Sequence, residues 1–136
     1  MASLFMLDTD TCIFLMRRAS QKLEAKVQSV PLQNQVMSAV TFAELSYGVQ
    51  ASVSAKRKQN QATLDSLALH LAVLDWPQVA AKFYAEIRFD LKKRGAQLGA
   101  ADLMIAAHAR SLGAVVVTNN VKDFSRVKGL EVENWT

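Results

Sequence analysis

The chain has few of the residues that mark several classes of protein. Its 136 residues include one cysteine, two prolines and five glycines. A lone Cys12 excludes an internal disulfide, and no set of cysteines and histidines has the spacing of a zinc site. No apolar run approaches the roughly 20 residues of a membrane helix, and residues 1–8 lack the basic region of a signal peptide. These absences predict a cytoplasmic protein with no membrane attachment.

The composition is that of an ordinary globular domain with a small excess of positive charge. The length predicts one domain over residues 1–136, and 51% hydrophobic residues are enough for a core. There are 16 lysines and arginines against 12 aspartates and glutamates, which gives a formal charge of +4. This excess points only weakly to a polyanionic partner, because many proteins are mildly basic.

The apolar pattern predicts strands that alternate with helices. Short strands are expected at 36–38 and 72–74, buried strands at 4–7 and 114–117, and a short edge strand at 130–132. Helices are expected at 9–18, 21–29, 41–50 and 55–70, then after a cap at 75–77 as far as about residue 94, and at 100–112. Long helical connections between strands require a parallel sheet covered on both faces, so the predicted class is α/β.

Acidic and polar residues follow the predicted strands. Five of the 12 acids and two neighbouring polar residues fall at these points or, for Glu44 and Asp102, in the first turn of a predicted helix: Asp8, Asp10, Glu44, Asp102, Asp123, Thr118 and Asn120. In an open parallel sheet, function gathers in the crevice beyond the carboxyl ends of the strands. We therefore expect these side chains to share one rim of the sheet.

Each acid taken alone also has a purely structural explanation. Asp8 or Asp10 could cap the next helix, and residues 41–44 have the capping-box pattern with Glu44 in the first turn. Asp102 is favoured near a helix start by the helix dipole, and Asp123 fits a turn. Capping does not explain why scarce acids should converge on one rim of a basic protein.

Converging carboxylates favour a hard divalent cation. They repel one another, so they must take up protons or bind a cation, and their oxygens suit Mg²⁺ or Mn²⁺. Such an ion would polarise a phosphodiester and activate a water. Metal-free cleavage would need histidines, but His108 faces away from Asp102 on its helix and His70 ends another helix, so both are expected to be structural. Cys12 lies in an apolar stretch and is expected in the core.

Clusters of basic residues flank the predicted crevice. The candidates for contacts with phosphates are Arg17 and Arg18, and the cluster from Lys122 to Lys128. Basic clusters are usually only solvated surface.

Four segments of the chain have a familiar combination of residues: 6–10, 41–48, 99–109 and 117–124. In order and spacing they resemble the PIN-domain ribonucleases, and more closely the VapC toxins of bacterial VapBC toxin–antitoxin pairs. Aspartate and threonine after a strand are a weak signal. The Glu-Leu-x-x-Gly segment from Glu44 and the Asp-x-x-Ile-Ala-Ala segment from Asp102 are much more specific.

The resemblance implies an α/β/α sandwich around a central parallel sheet of about five short strands. It also implies an endoribonuclease dependent on Mg²⁺ or Mn²⁺, which hydrolyses RNA, with tRNA as the expected class. Asp8, Glu44 and Asp102 would form the metal site, with Asp123 as or beside the fourth ligand and Asn120 next to it. A homodimer and a small VapB-like antitoxin are the implied protein partners.

The chain departs from the family pattern at two places. Relatives often have asparagine where Asp10 stands, and an added carboxylate there could change the affinity for a metal. Asn119 and Asn120 stand where other branches have an acid, so the fourth ligand stays open between Asp123, Asn120 and Asp10.

Two other functions remain as alternatives. A phospho-acceptor signalling domain would use Asp8 and Asp10 with Asp75, Thr118 and Lys122, although its spacing fits poorly and leaves Glu44 and Asp102 without a role. A non-catalytic module that binds RNA or an antitoxin would use the acids only as helix caps.

Overall fold

The fold was analysed in a computed structural model that describes residues 3–136. Met1 and Ala2, the first residues of the segment without signal-peptide features, lie outside the described residues. The strands are β1 (Phe5–Leu7), β2 (Gln35–Ser38), β3 (Ala72–Leu74), β4 (Val115–Val117) and β5 (Glu131–Glu133). The helices are α1 (Thr9–Arg17), α2 (Gln21–Ser29), α3 (Ala39–Gln50), α4 (Ser54–His70), α5 (Ala80–Lys93), α6 (Ala100–Leu112) and α7 (Val121–Phe124).

The five strands form one parallel sheet in the order β3-β2-β1-β4-β5. Separate apolar clusters cover its two faces. One contains Met6, Val116 and residues of α5 and α6, and the other contains Leu7, Val117 and residues of α1 to α4. Consecutive residues of β1 and β4 thus enter opposite clusters, as the alternation of side chains along a strand requires. The α/β class and the parallel sheet covered on both faces are confirmed.

Two predicted helix starts are wrong. Ser38 caps α3 by accepting a hydrogen bond from the Val40 backbone at 3.1 Å, so the helix begins at Ala39 and the proposed capping box at 41–44 does not exist. Glu44 therefore lies in the second turn of α3, not the first. Residues 75–77 do not cap α5, which begins at Ala80 without a side-chain cap. The four-residue helix α7 was not predicted.

Of the three residues that were predicted to be structural, His108 and Cys12 are in the core and His70 is exposed. His108 is 1% exposed, and its Nδ1 lies 2.8 Å from the Ser38 hydroxyl, where it joins α6 to the cap of α3. Cys12 is fully buried, and burial raises the pKa of its thiol, which keeps it protonated and unreactive. His70, at the end of α4, contacts the backbone carbonyl of Ser66.

The parallel sheet places the carboxyl ends of its strands along one edge. Asp8 follows β1 directly, Ser38 ends β2 and Thr118 follows β4. Because β1 lies between β2 and β4, these residues are neighbours across the sheet. No helix within residues 3–136 is long and apolar enough to span a membrane.

Candidate active site

Asp8 is held at the centre of this edge by two different elements. Its Oδ1 accepts a hydrogen bond from the Thr11 backbone at 2.9 Å, which caps α1. Its Oδ2 accepts one from the Thr118 hydroxyl at 2.6 Å, from the strand end next to it. Asp8 is 2% exposed, and this burial raises the pKa of its carboxyl group. The hydrogen bonds from Thr118 and Thr11 lower the pKa, but by less than burial raises it. The residue is therefore a helix cap and a fixed carboxylate at the same time.

Glu44 is placed by contacts between α1 and α3. The Thr9 hydroxyl donates to Glu44 Oε1 at 2.5 Å, and the Thr41 hydroxyl lies 3.4 Å from that of Thr9. Thr9 was missed as a site residue by the sequence analysis. Its position directly after Asp8 was the only available signal, and the pairing with a residue 35 positions later depends on how the two helices pack.

The carboxylates act on one another most clearly at Asp102, in the first turn of α6. Burial, and then the negative charges of Asp8, Glu44, Asp10 and Asp123, raise the pKa of Asp102 from its ordinary 3.8 to about 6. Burial disfavours the charged form, and like charges within electrostatic range disfavour it further. The charges of four other acids thus act on Asp102, although Asp102 itself follows the loop after α5 and not a strand.

Asp123 lies in α7, beside Asn120 and Arg126. The Asn120 amide donates to Asp123 Oδ2 at 2.8 Å, and Arg126 Nη1 lies 3.4 Å from Oδ1. The Asn120 backbone donates to the Thr118 hydroxyl at 2.9 Å, so Thr118 connects this pair to Asp8. Thr118 and Asn120 are thus in contact with the carboxylates, as their position in the sequence suggested.

The three predicted phosphate-contact residues have different surroundings. Arg17 lines a groove between α1, α3 and α4 that also includes Glu44. Arg18, in a left-handed conformation with φ of 53° at the end of α1, is ion-paired with Glu24 at 3.1 Å. Lys122 lies in α7, next to Asp123. Arg18 is thus paired with Glu24 through one nitrogen at an exposed position, whereas Arg17 and Lys122 adjoin the acids.

The available donors suit a hard divalent ion. They are carboxylates supported by hydroxyl and amide groups, with no histidine or cysteine among them, and this chemistry favours Mg²⁺ or Mn²⁺ over zinc. As the side chains stand, no three His, Cys, Asp or Glu residues among 3–136 are close enough to enclose a metal. A full cage is not required, because Mg²⁺ keeps several waters and uses one or two carboxylates together with substrate phosphates.

The two alternative functions explain fewer of these contacts. Asp75 follows β3, an edge strand two places from β1, which separates it from the Asp8 position that a phospho-acceptor site would need. Capping accounts for one oxygen of Asp8 and leaves Glu44 and the raised pKa of Asp102 unexplained.

Comparison with known proteins gives matches over nearly the whole chain. The PIN domain family matches residues 5–130. The tRNA(fMet)-specific endonuclease VapC of Salmonella typhimurium is 37% identical over 131 residues, covering 96% of this chain and 97% of the relative. Ribonuclease VapC2 of Rickettsia felis is 35% identical over 133 residues, covering 97% and 98%. The crystal structure of DNA-bound VapBC from Salmonella typhimurium aligns with a TM-score of 0.92 at 36% identity, covering 99% of this chain and all of its counterpart.

Proposed function

Because the chain belongs to the VapC family of PIN-domain proteins, we propose that it is a metal-dependent endoribonuclease and the toxin of a toxin–antitoxin pair. The observation that carries the proposal is the convergence of Asp8, Asp10, Glu44 and Asp123 on Asp102. The expected substrate class is tRNA, as in the name of the Salmonella relative. The protein would act in the cytoplasm, where Cys12 stays a free thiol.

Three carboxylates would hold the ion. Asp8 and Asp102 would ligate it directly, while Glu44 would ligate through a water or orient the attacking water. Bound Mg²⁺ or Mn²⁺ supplies charge stabilisation at the phosphate and lowers the pKa of a water. Thr118 and Thr11 fix the Asp8 oxygens, so this carboxylate needs little reorganisation to act.

The raised pKa of Asp102 adds a condition on the reaction. With a pKa of about 6, a fraction of the metal-free protein carries a proton on Asp102 at mildly acidic pH. Metal binding must displace that proton, because a carboxylate ligand binds in its deprotonated form. Cleavage should therefore weaken below about pH 6.

The test combines cleavage with metal binding. Structured RNA would be incubated with the protein in Mg²⁺, in EDTA, and with Asp8→Ala and Asp102→Ala variants; cleavage is expected only for the unaltered protein in Mg²⁺. Calorimetric titration with Mn²⁺ should give binding that Asp102→Asn loses. Equal cleavage under all four conditions would refute the nuclease proposal, and absence of Mn²⁺ binding would favour a non-catalytic module.

The protein partner of this toxin would be a small VapB-like antitoxin. The groove that contains Arg17 and Glu44 shares Met16, Gln59 and Thr63 with a more apolar groove between α1, α2 and α4. A segment lying along both grooves would cover Glu44 and exclude RNA. A small gene product encoded next to this chain should restore growth when both are expressed, and Met16→Glu should weaken that protection. A homodimer stays a prediction.

A further inference from the structure

Arg126 connects two segments that carry acids of the site. It lies in the turn after α7, where its Nη1 is 3.4 Å from Asp123 Oδ1 and donates to the Gln97 carbonyl at 3.3 Å. Gln97 belongs to the short loop that leads from α5 into α6, and Asp102 lies in the first turn of α6. The Arg126 guanidinium thus contacts both α7, which contains Asp123, and the loop that leads to Asp102 in α6.

The guanidinium is only partly used by these contacts. Both involve Nη1, so Nε and Nη2 have no hydrogen-bond partner among residues 3–136. The side chain is 35% exposed and its ion pair with Asp123 is loose, and such surface pairs contribute little to stability. Two nitrogens of a planar guanidinium side chain are therefore available, and this geometry matches a phosphate.

The other arginines of the same region, Arg94 and Arg110, are committed to the fold. Arg94 donates from Nε and Nη2 to Asp90 at 3.0 and 2.7 Å and from Nη2 to the Arg126 carbonyl at 2.5 Å. Arg110 donates to the Lys128 carbonyl and packs over the Phe83 ring. These contacts hold the backbone of the turn, and Arg126 is the arginine that the turn presents beside the acids.

We propose that Arg126 binds a phosphate of the RNA backbone beside the acidic site, and that Asp123 holds the guanidinium in place rather than ligating the metal. Asp123 Oδ1 faces the Arg126 guanidinium at 3.4 Å, and this positive charge opposes a divalent cation on the same carboxylate. Asp8, by contrast, accepts hydrogen bonds only from neutral groups, the Thr11 backbone and the Thr118 hydroxyl. The proposal rests on the proposed nuclease function for its substrate. It assigns the metal to three carboxylates, Asp8, Glu44 and Asp102, and gives Asp123 no direct contact with the ion.

The first experiment measures RNA binding without cleavage. A fluorescein-labelled single-stranded RNA would be titrated with protein in EDTA at several salt concentrations, and anisotropy would give the affinity. Each phosphate contact contributes about 0.7 to the slope of log affinity against log salt for single strands. Arg126→Gln should lower the slope by about 0.7 and weaken binding roughly fivefold at low salt. Arg126→Lys should keep most of the slope because it keeps the charge.

The matched control removes the same charge elsewhere. Lys26 lies over Trp135, which belongs to the apolar cluster on one face of the sheet, whereas Phe124 and Val127, beside Arg126, belong to the cluster on the other face. Lys26→Gln should leave the salt slope unchanged. An unchanged slope in Arg126→Gln, or an equal loss in Lys26→Gln, would overturn the phosphate contact. Thermal unfolding of each variant would show whether a loss of binding comes only from loss of the fold.

The second experiment separates the roles of the two aspartates. In Mn²⁺ calorimetry, Asp123→Asn should bind within about twofold of the unaltered protein. Asp102→Asn should lose binding by more than about tenfold, because losing even a group that only supports a metal ligand costs about 10–100-fold in affinity. Equal losses would make Asp123 a ligand and overturn its assignment to Arg126. If the unaltered protein binds RNA and Mn²⁺ but does not cleave RNA, the nuclease function is refuted. The contact between Arg126 and a phosphate would still stand.

Discussion

Replacing Asp102 with asparagine should stabilise the metal-free protein at neutral pH. The folded state raises the pKa of this carboxyl group from 3.8 to about 6, so the charged form is less stable in the folded protein than in the unfolded chain. The shift corresponds to an upper limit of about 3 kcal/mol at 1.36 kcal/mol per pKa unit. Solvent screening at a partly exposed side chain and the lost attraction to the helix dipole reduce the expected gain to about 1–2 kcal/mol.

The direction of the pH dependence follows from the raised pKa. Well below pH 3.8 the Asp102 carboxyl group is protonated in both the folded and the unfolded protein, so it does not lower the free energy of unfolding. The penalty develops as the pH rises from about 4 to 6 and is complete above that range. The advantage of Asp102→Asn should therefore be present at pH 7.5 and absent near pH 4.

The assay is thermal unfolding in EDTA, with and without added Mn²⁺. A gain of 1–2 kcal/mol should raise the Tm by about 4–8 °C in a domain of this size. Asp65→Asn removes the same charge from an exposed position on α4 and should change the Tm little. Saturating Mn²⁺ should stabilise the unaltered protein and not the Asp102→Asn variant. A lower Tm for Asp102→Asn at pH 7.5, or an equal gain at pH 4, would refute the reasoning.

Three further outcomes are expected from the contacts around the site. Thr118→Val should cost about 1–3 kcal/mol in urea unfolding because it leaves Asp8 Oδ2 without its buried donor, and Thr118→Ser should cost less. Thr9→Val should reduce RNA cleavage about tenfold with unfolding free energy unchanged, because Glu44 loses its partner; Thr9→Ser should retain activity. Burial lowers the pKa of His108, so stability should fall as pH drops through about 6.5, and His108→Gln should lack that loss.

The order of elements and the location of the acids follow from local sequence. Three consecutive valines at Val115–Val117 indicate a buried strand. A polar or acidic residue directly after a buried parallel strand lies at the carboxyl edge of the sheet. The predicted order of strands and helices is therefore confirmed, and Asp8 lies where the end of β1 places it, whereas Asp102 comes from the first turn of α6.

The contacts that orient the acids do not follow from local sequence. The hydrogen bond from Thr9 to Glu44 depends on the packing of α1 against α3, and the contact of Arg126 with Gln97 joins residues 29 positions apart. The missed start of α3 has a similar cause. Thr41 and Glu44 fit a local capping pattern, but Ser38 at the end of β2, in contact with His108, is the actual cap.

The position of β4 in the sheet has a consequence for the synthesis of the protein. β4 lies between β1 and β5, although it comes more than 100 residues after β1 in the chain, and Thr118 at its end holds Asp8. A nascent chain that has emerged only as far as α6 therefore carries Asp8, Glu44 and Asp102, the three proposed metal ligands, without the strand that aligns Asp8. Nuclease activity would begin only when the last strands are added, which leaves an antitoxin the whole period of translation in which to be present.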